Sequence, residues 1–155
     1  MAVKPIPEGY TSVTPYLTVD DAKAAIEFYK RALGATERGV MHGPDGMVAH
    51  AELQIGNAVV MLSDKFPQST ISTPKEIGGT TVGIWLFVED VDSVVQDAAD
   101  AGATITMQPE DQFWGDRMGQ VTDPYGHVWF IAARVEELTP EEIEARGREF
   151  MASMG

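Results

Sequence analysis

Apolar positions along this chain fall first at strand spacing and then at helix spacing, and they do so twice. Residues 14–34, TPYLTVDDAKAAIEFYKRALG, open on the short extended run YLTV and pass the acidic pair Asp20 and Asp21. Ala22, Ala25, Ile26, Tyr29, Ala32 and Leu33 then recur at helical intervals and predict an amphipathic helix. Residues 83–102, GIWLFVEDVDSVVQDAADAG, repeat the design with WLFV, then Glu89 and Asp90, then Val91, Val94, Val95, Ala98 and Ala101. Asp21 and Asp90 sit where N-caps belong, and Gly34 and Gly102 where helices stop. After each helix come a Gly-Ala-Thr triplet, a loop with turn residues, and two strand-like runs. These are VAHAELQI and AVVMLS, joined across Gly56 and Asn57, and MGQVT and HVWFIAA, joined by Asp-Pro-Tyr-Gly at 123–126. An offset of 69 residues lays Leu17 on Leu86, Val19 on Val88, Asp21 on Asp90 and Val59 on Val128. Each half therefore reads βαβββ, with the strand between helix and hairpin only faintly marked.

The pattern divides the chain as one domain, 1–155, holding a first module at 12–65, a connector at 66–82, a second module at 83–134 and a tail at 135–155. The connector is rich in Pro, Gly and hydroxyl residues and longer than most loops. In the tail, Thr139 is placed to cap a further helix with Pro140 at its first position and Glu141 and Glu142 in its first turn. That helix is expected to pack on the body or on another subunit.

Charge narrows the partners. The chain carries 24 acidic and 11 basic side chains, a formal net charge of -13. Binding driven by phosphates needs clustered Lys and Arg, so nucleic acid is not an expected ligand. The excess is uneven: 66–133 carries ten acids against Lys75 and Arg117 alone, which favours a cationic over an anionic ligand. Zero Cys removes disulfides, thiolate metal sites and cysteine nucleophiles. Neither a secretory h-region nor a membrane-spanning apolar run is visible, so the cytoplasm is the expected compartment.

Five strings carry a likeness beyond this pattern: PYLTVDDAKAAIEFYKRALGA, HAELQIGNAVVMLSD, FVEDVD, QFWGDRMGQVTDPYGHVWFIA and the TPEEIEAR tail. They span nearly the whole chain in order. Through them the chain resembles the vicinal-oxygen-chelate superfamily, the glyoxalase/bleomycin-resistance/dioxygenase group, and within it the PhnB-like branch. The resemblance implies an α+β fold in which the duplicated βαβββ modules build an eight-stranded curved sheet around a ligand cavity, with the C-terminal helix added. It also implies a homodimer.

Members of that group usually hold a divalent metal with His, Gln or Glu on the first and last strands of both modules. The resemblance places Thr14, Gly83, Met61 and Phe130 at those positions, and none of the four is a hard-metal ligand. The usual metal site is therefore not expected. Alternation along VAHAELQI puts Val48, His50, Glu52 and Gln54 on one face, turned toward the cavity. The 69-residue offset carries Val48 onto Arg117, which makes Arg117 the expected cation of the cavity, with Trp114 on the loop just before it. The expected ligand-binding set is thus Thr14, His50, Glu52, Met61, Trp114, Arg117 and Phe130, with His50 and Glu52 as candidate acid–base groups. Two functions compete. One is metal-independent binding of a small molecule, as in bleomycin-resistance members. The alternative is a metal-dependent lyase, isomerase or dioxygenase with an atypical divalent-metal centre at His50 and Glu52. A structural or regulatory protein recruiting partners through its tail is a third reading.

Overall fold

The computed structural model describes residues 2–155, and Met1 lies outside them. Eight strands and four helices follow the duplicated order. The first half contains β1 (Tyr16–Val19), α1 (Ala22–Leu33), β2 (Thr36–His42), β3 (Val48–Ile55) and β4 (Ala58–Asp64). A single helical turn, α2 (Pro74–Ile77), interrupts the connector. The second half contains β5 (Gly83–Phe87), α3 (Val91–Asp100), β6 (Thr104–Asp111), β7 (Asp116–Thr122) and β8 (Val128–Arg134), and α4 (Pro140–Met154) ends the chain. The strands form two four-stranded sheets, ordered β1-β4-β3-β2 and β5-β8-β7-β6, so the eight strands are divided between two sheets and not hydrogen-bonded into one. In each sheet the first strand runs parallel to the last and the other pairs are antiparallel.

Local chemistry explains the repeated element. The Asp21 carboxylate accepts from the Ala24 amide at 3.0 Å and the Asp90 carboxylate from the Ser93 amide at 3.1 Å, so each helix begins at its acidic cap. Gly34 ends α1 in the left-handed conformation at φ 67°. The apolar stripes of both helices face inward: Ala22, Ala25, Ile26, Tyr29 and Ala32 of α1, and Val91, Val95 and Ala98 of α3, are buried. The two helices pack on one another as well as on their own sheets. Each sheet thus has one face covered by helix and a second face without a helix.

The halves share one core. Tyr29 of α1 meets Trp129 of β8 at a centroid distance of 5.5 Å, and Phe28 meets Tyr125 at 6.1 Å. At the centre of this contact is the buried Asp123 carboxylate, which accepts from the Tyr29 hydroxyl (2.5 Å), Trp129 Nε1 (3.0 Å) and the amides of Tyr125 (2.9 Å) and His127 (3.0 Å). His127 in turn bonds the Thr18 carbonyl of β1 at 3.0 Å. The Asp-Pro-Tyr-Gly-His turn is therefore a staple between the halves. Burial beside the ionised Asp123 pushes the Tyr29 phenol well above its usual range. Gly126 of this turn has φ 94°, and a Cβ there would stand 2.6 Å from Pro74 of the connector.

Helix α4 lies apart from this core. Its capping box is complete, with the Thr139 hydroxyl accepting from the Glu142 amide and the Glu142 carboxylate from the Thr139 amide. It touches the body through Phe150 against Phe113 and a bidentate Arg146–Glu136 pair at 3.1 Å, but none of its residues is buried. No helix among the described residues is long and apolar enough to cross a membrane.

Candidate functional site

The helix-free face of the first sheet carries a continuous chain of polar side chains. His50 and Glu52 stand two residues apart on β3, and strand alternation puts both on this face while Ala51, Leu53 and Ile55 enter the core. His50 Nε2 lies 2.9 Å from Glu52 Oε2, and the Tyr16 hydroxyl of β1 lies 3.2 Å from His50 Nδ1. The Tyr10 hydroxyl donates to the other carboxylate oxygen, Glu52 Oε1. The Tyr10 phenol and then His50 hold the Glu52 carboxyl below its usual range, and the same contact raises Tyr10. Arg38 of β2 stacks over the Tyr10 ring at 4.9 Å and bonds Gln54 at 3.1 Å. Tyr10 stands between two clefts of about 390 Å³ each. One is lined by Arg38, Val40, Met41, His50 and Glu52, the other by Ile6, Thr11, Thr14, Glu52 and Met61.

The second sheet turns out a different surface from the same scaffold. Trp85 of β5 stacks on Phe130 of β8 with centroids 5.2 Å apart and planes 21° from parallel. Phe87 and Trp114 flank Trp85 at 6.2 and 6.3 Å, and Phe113 meets Trp114 edge-on. The tray is held from beneath: the Asp116 carboxylate, only 3% exposed, accepts from Trp114 Nε1 at 2.9 Å and from Arg134 Nε at 2.7 Å. Yet Trp85 is 42% exposed and Phe87 60%.

Strand registers relate the two surfaces position by position. Met61 pairs with Tyr16 and Glu52, and Phe130 pairs with Trp85 and Gln120. Tyr16 is thus equivalent to Trp85, Met61 to Phe130, Glu52 to Gln120 and His50 to Met118. In the β7 strand the offset between halves is consequently 68, not 69. Glu52 and its partner Met61 are nine residues apart, whereas Gln120 and its partner Phe130 are ten apart, and a slip of one residue reverses the face of every side chain.

That slip corrects the placement of Arg117. It lies on the helix-covered side of its sheet, with Nε and Nη2 on Asp92 of α3 (2.7 and 2.8 Å) and Nη1 on Asp111 (3.1 Å), and these partners raise its pKa. Gly119, two residues on, faces Val95 of α3, which fixes the orientation. The cation beside His50 and Glu52 is Arg38, which makes no ion pair within 4 Å among the described residues. Thr14, Met61, His50 and Glu52 meet around the first sheet's clefts, whereas Trp114 and Phe130 belong to the tray of the second. Tyr16, Trp85 and Phe87 were within reach of the alternation rule, being on the same faces as Thr14 and Gly83. Tyr10 and Arg38 had no periodic signal, because Tyr10 arrives from the coil preceding β1.

A divalent cation does not fit the positions where the resemblance places metal ligands. Gly83 supplies no side-chain donor, and a Cβ there would stand 2.4 Å from the Phe130 ring. Thr14 and Met61 add a hydroxyl and a thioether, a weak set for a hard ion. His50 and Glu52 spend their facing atoms on one another, and among the described residues no three His, Cys, Asp or Glu side chains converge on a common point.

Sequence and structural comparisons agree with this architecture. The protein Rv0887c of Mycobacterium tuberculosis (strain ATCC 25618 / H37Rv), itself uncharacterized, is 47% identical over 137 residues, covering 86% of this chain and 81% of that one. The X-ray structure of the Arabidopsis thaliana gene product At5g48480 is 32% identical with a TM-score of 0.64, covering 79% of this chain and 98% of that one. A PhnB protein from Bacillus cereus, described as a putative 3-demethylubiquinone-9 3-methyltransferase, shares the fold at 18% identity and a TM-score of 0.62, over 79% and 99% of the two chains. The family model described as Glyoxalase/Bleomycin resistance protein/Dioxygenase superfamily matches residues 10–131, and the chain belongs to that superfamily.

Proposed function

We propose that this protein binds a small aromatic molecule without a metal ion, in a cavity made by the His50–Glu52 face of one copy and the Trp85–Phe130 face of a second copy in a homodimer. The carrying observation is the pre-stacked tray of exposed Trp85 and Phe87 with half-buried Trp114 and Phe130, held in place by the buried Asp116. Exposed aromatic surface of this kind is costly in water and marks a ligand or partner site. The helices α1 and α3 pack together between the sheets, so a chain's own second sheet is not what covers its first. A partner copy supplies that cover. The net charge of -13 favours neutral or cationic aromatics over anionic ones.

Titration with proflavine, a planar cationic probe, tests this reading. It quenches the fluorescence of Trp85 and Trp114, and Trp85→Ala weakens its binding on the order of tenfold, the cost of one lost stacking partner. Unchanged affinity in Trp85→Ala contradicts the proposal. A thermal shift with Zn²⁺ that His50→Ala abolishes contradicts its metal-free part.

A further inference from the structure

The chain has four tyrosines, and their hydroxyls meet four different fates. Tyr29 is buried on the Asp123 carboxylate, and Tyr125 is buried beside it. Tyr10 donates to the Glu52 carboxylate. Tyr16 alone has its hydroxyl on an imidazole nitrogen, His50 Nδ1 at 3.2 Å, while its ring remains accessible from outside. The tautomer of that imidazole follows from its other end. An ionised Glu52 carboxylate can only accept, so His50 Nε2 at 2.9 Å carries the hydrogen and Nδ1 presents a lone pair to the phenol. Tyr10 occupies the remaining carboxylate oxygen and fixes the carboxyl's rotation. A hydroxyl on a base, with the base oriented by a carboxylate, is the general arrangement of an activated nucleophile.

We propose that Tyr16, His50 and Glu52 form a proton-transfer triad in which the Tyr16 hydroxyl attacks small molecules bearing an electrophilic acyl carbon. Tyr16 Oη forms a bond to the acyl carbon as the bond from that carbon to the leaving group breaks. The phenolic proton passes to His50 Nδ1 and from there to the leaving group. Water then gives a proton to the same nitrogen and attacks the acyl carbon, the aryl ester bond breaks, and that proton passes to the departing Tyr16 Oη as the carboxylic acid is released. No electrons are exchanged with any third component. Glu52 is a positioning residue that stabilises the transient imidazolium. His50 and Glu52 line a cleft together with Arg38, and Tyr16 joins that group through its hydroxyl on His50 Nδ1, so the acyl compound reaches Tyr16 at its exposed ring edge beside His50.

This goes beyond the binding reading and needs neither an aromatic ligand nor a second copy, so each succeeds or fails alone. The experiment treats the full chain with N-acetylimidazole, whose leaving group is imidazole, and follows acetylation of each tyrosine by mass spectrometry after proteolysis. N-acetyltyrosinamide in the same solution is the reference. Tyr16 is expected to acetylate on the order of tenfold faster than the reference, with His50→Asn removing the advantage and Glu52→Gln reducing it. A hydrogen bond serving structure only would slow Tyr16 below the free phenol. Tyr16 reacting no faster than the reference, or equally fast in His50→Asn, overturns the proposal. A long-range ¹H–¹⁵N correlation spectrum of the unmodified protein supplies a second readout that does not depend on a variant folding. It is expected to show His50 protonated on Nε2, and protonation on Nδ1 alone overturns the proposal.

Discussion

Single residues in this protein divide by whether their polar atoms serve the core or the open faces. Asp123 satisfies four donors drawn from both halves, and among the described residues no buried side-chain polar atom lacks a partner. Tyr29→Phe removes one donor from that carboxylate and is expected to lower stability by about 2 kcal/mol, read as a fall of about 4–8 °C in Tm. No change in Tm would show that the two halves are held together without this contact. Glu52 behaves differently because it is reachable by solvent. Its folded-state pKa is lowered, chiefly by the Tyr10 phenol, so the contact is intact above the ordinary carboxylate value of 4.5 and is lost as pH falls through the lower folded value. Acidification below that value is expected to release the segment around Tyr10, measured as a loss of amide-exchange protection at residues 8–12 relative to the intrinsic rate at each pH. In Glu52→Gln that protection should no longer change with pH over the interval.

At the scale of elements, the helices and hairpins were legible in the sequence because local chemistry decides them. Asp21 and Asp90 cap α1 and α3 where the acidic pairs predicted, and Thr139 caps α4. Asp21→Ala and Asp90→Ala are each expected to cost about 1 kcal/mol, checked by denaturant unfolding. The faint strands became β2 and β6, whose mostly exposed residues leave little alternation to read. Register was where the reading failed. Between equivalent paired positions the β7–β8 hairpin has one residue more than the β3–β4 hairpin, and a constant offset carried across it put Arg117 on the cavity face in place of its ion pairs with Asp92 and Asp111. Alternation found His50 and Glu52, whereas Tyr10 reaches Glu52 by a tertiary contact across 42 residues that no local rule encodes.

For the whole molecule, duplication supplies one scaffold twice and the two copies of it have diverged in chemistry. Equivalent positions carry Tyr16, Glu52 and Met61 on one sheet and Trp85, Gln120 and Phe130 on the other. In the proposed homodimer a titratable surface and an aromatic surface, each lacking a covering helix, would face one another across a twofold axis, the geometry of an isologous dimer. Mixing two disabled chains tests that account most directly. Met61→Arg spoils the first face and Trp85→Ala the second, and differently tagged chains allow the mixed dimer to be isolated and titrated with proflavine. If the cavity lies between copies, both pure variants bind weakly, Trp85→Ala on the order of tenfold more weakly than the unaltered chain, while the mixed dimer, twice 16.8 kDa in mass, regains one full-affinity site from its two intact faces. A mixed sample without a full-affinity site, or a particle of one chain's mass, contradicts it.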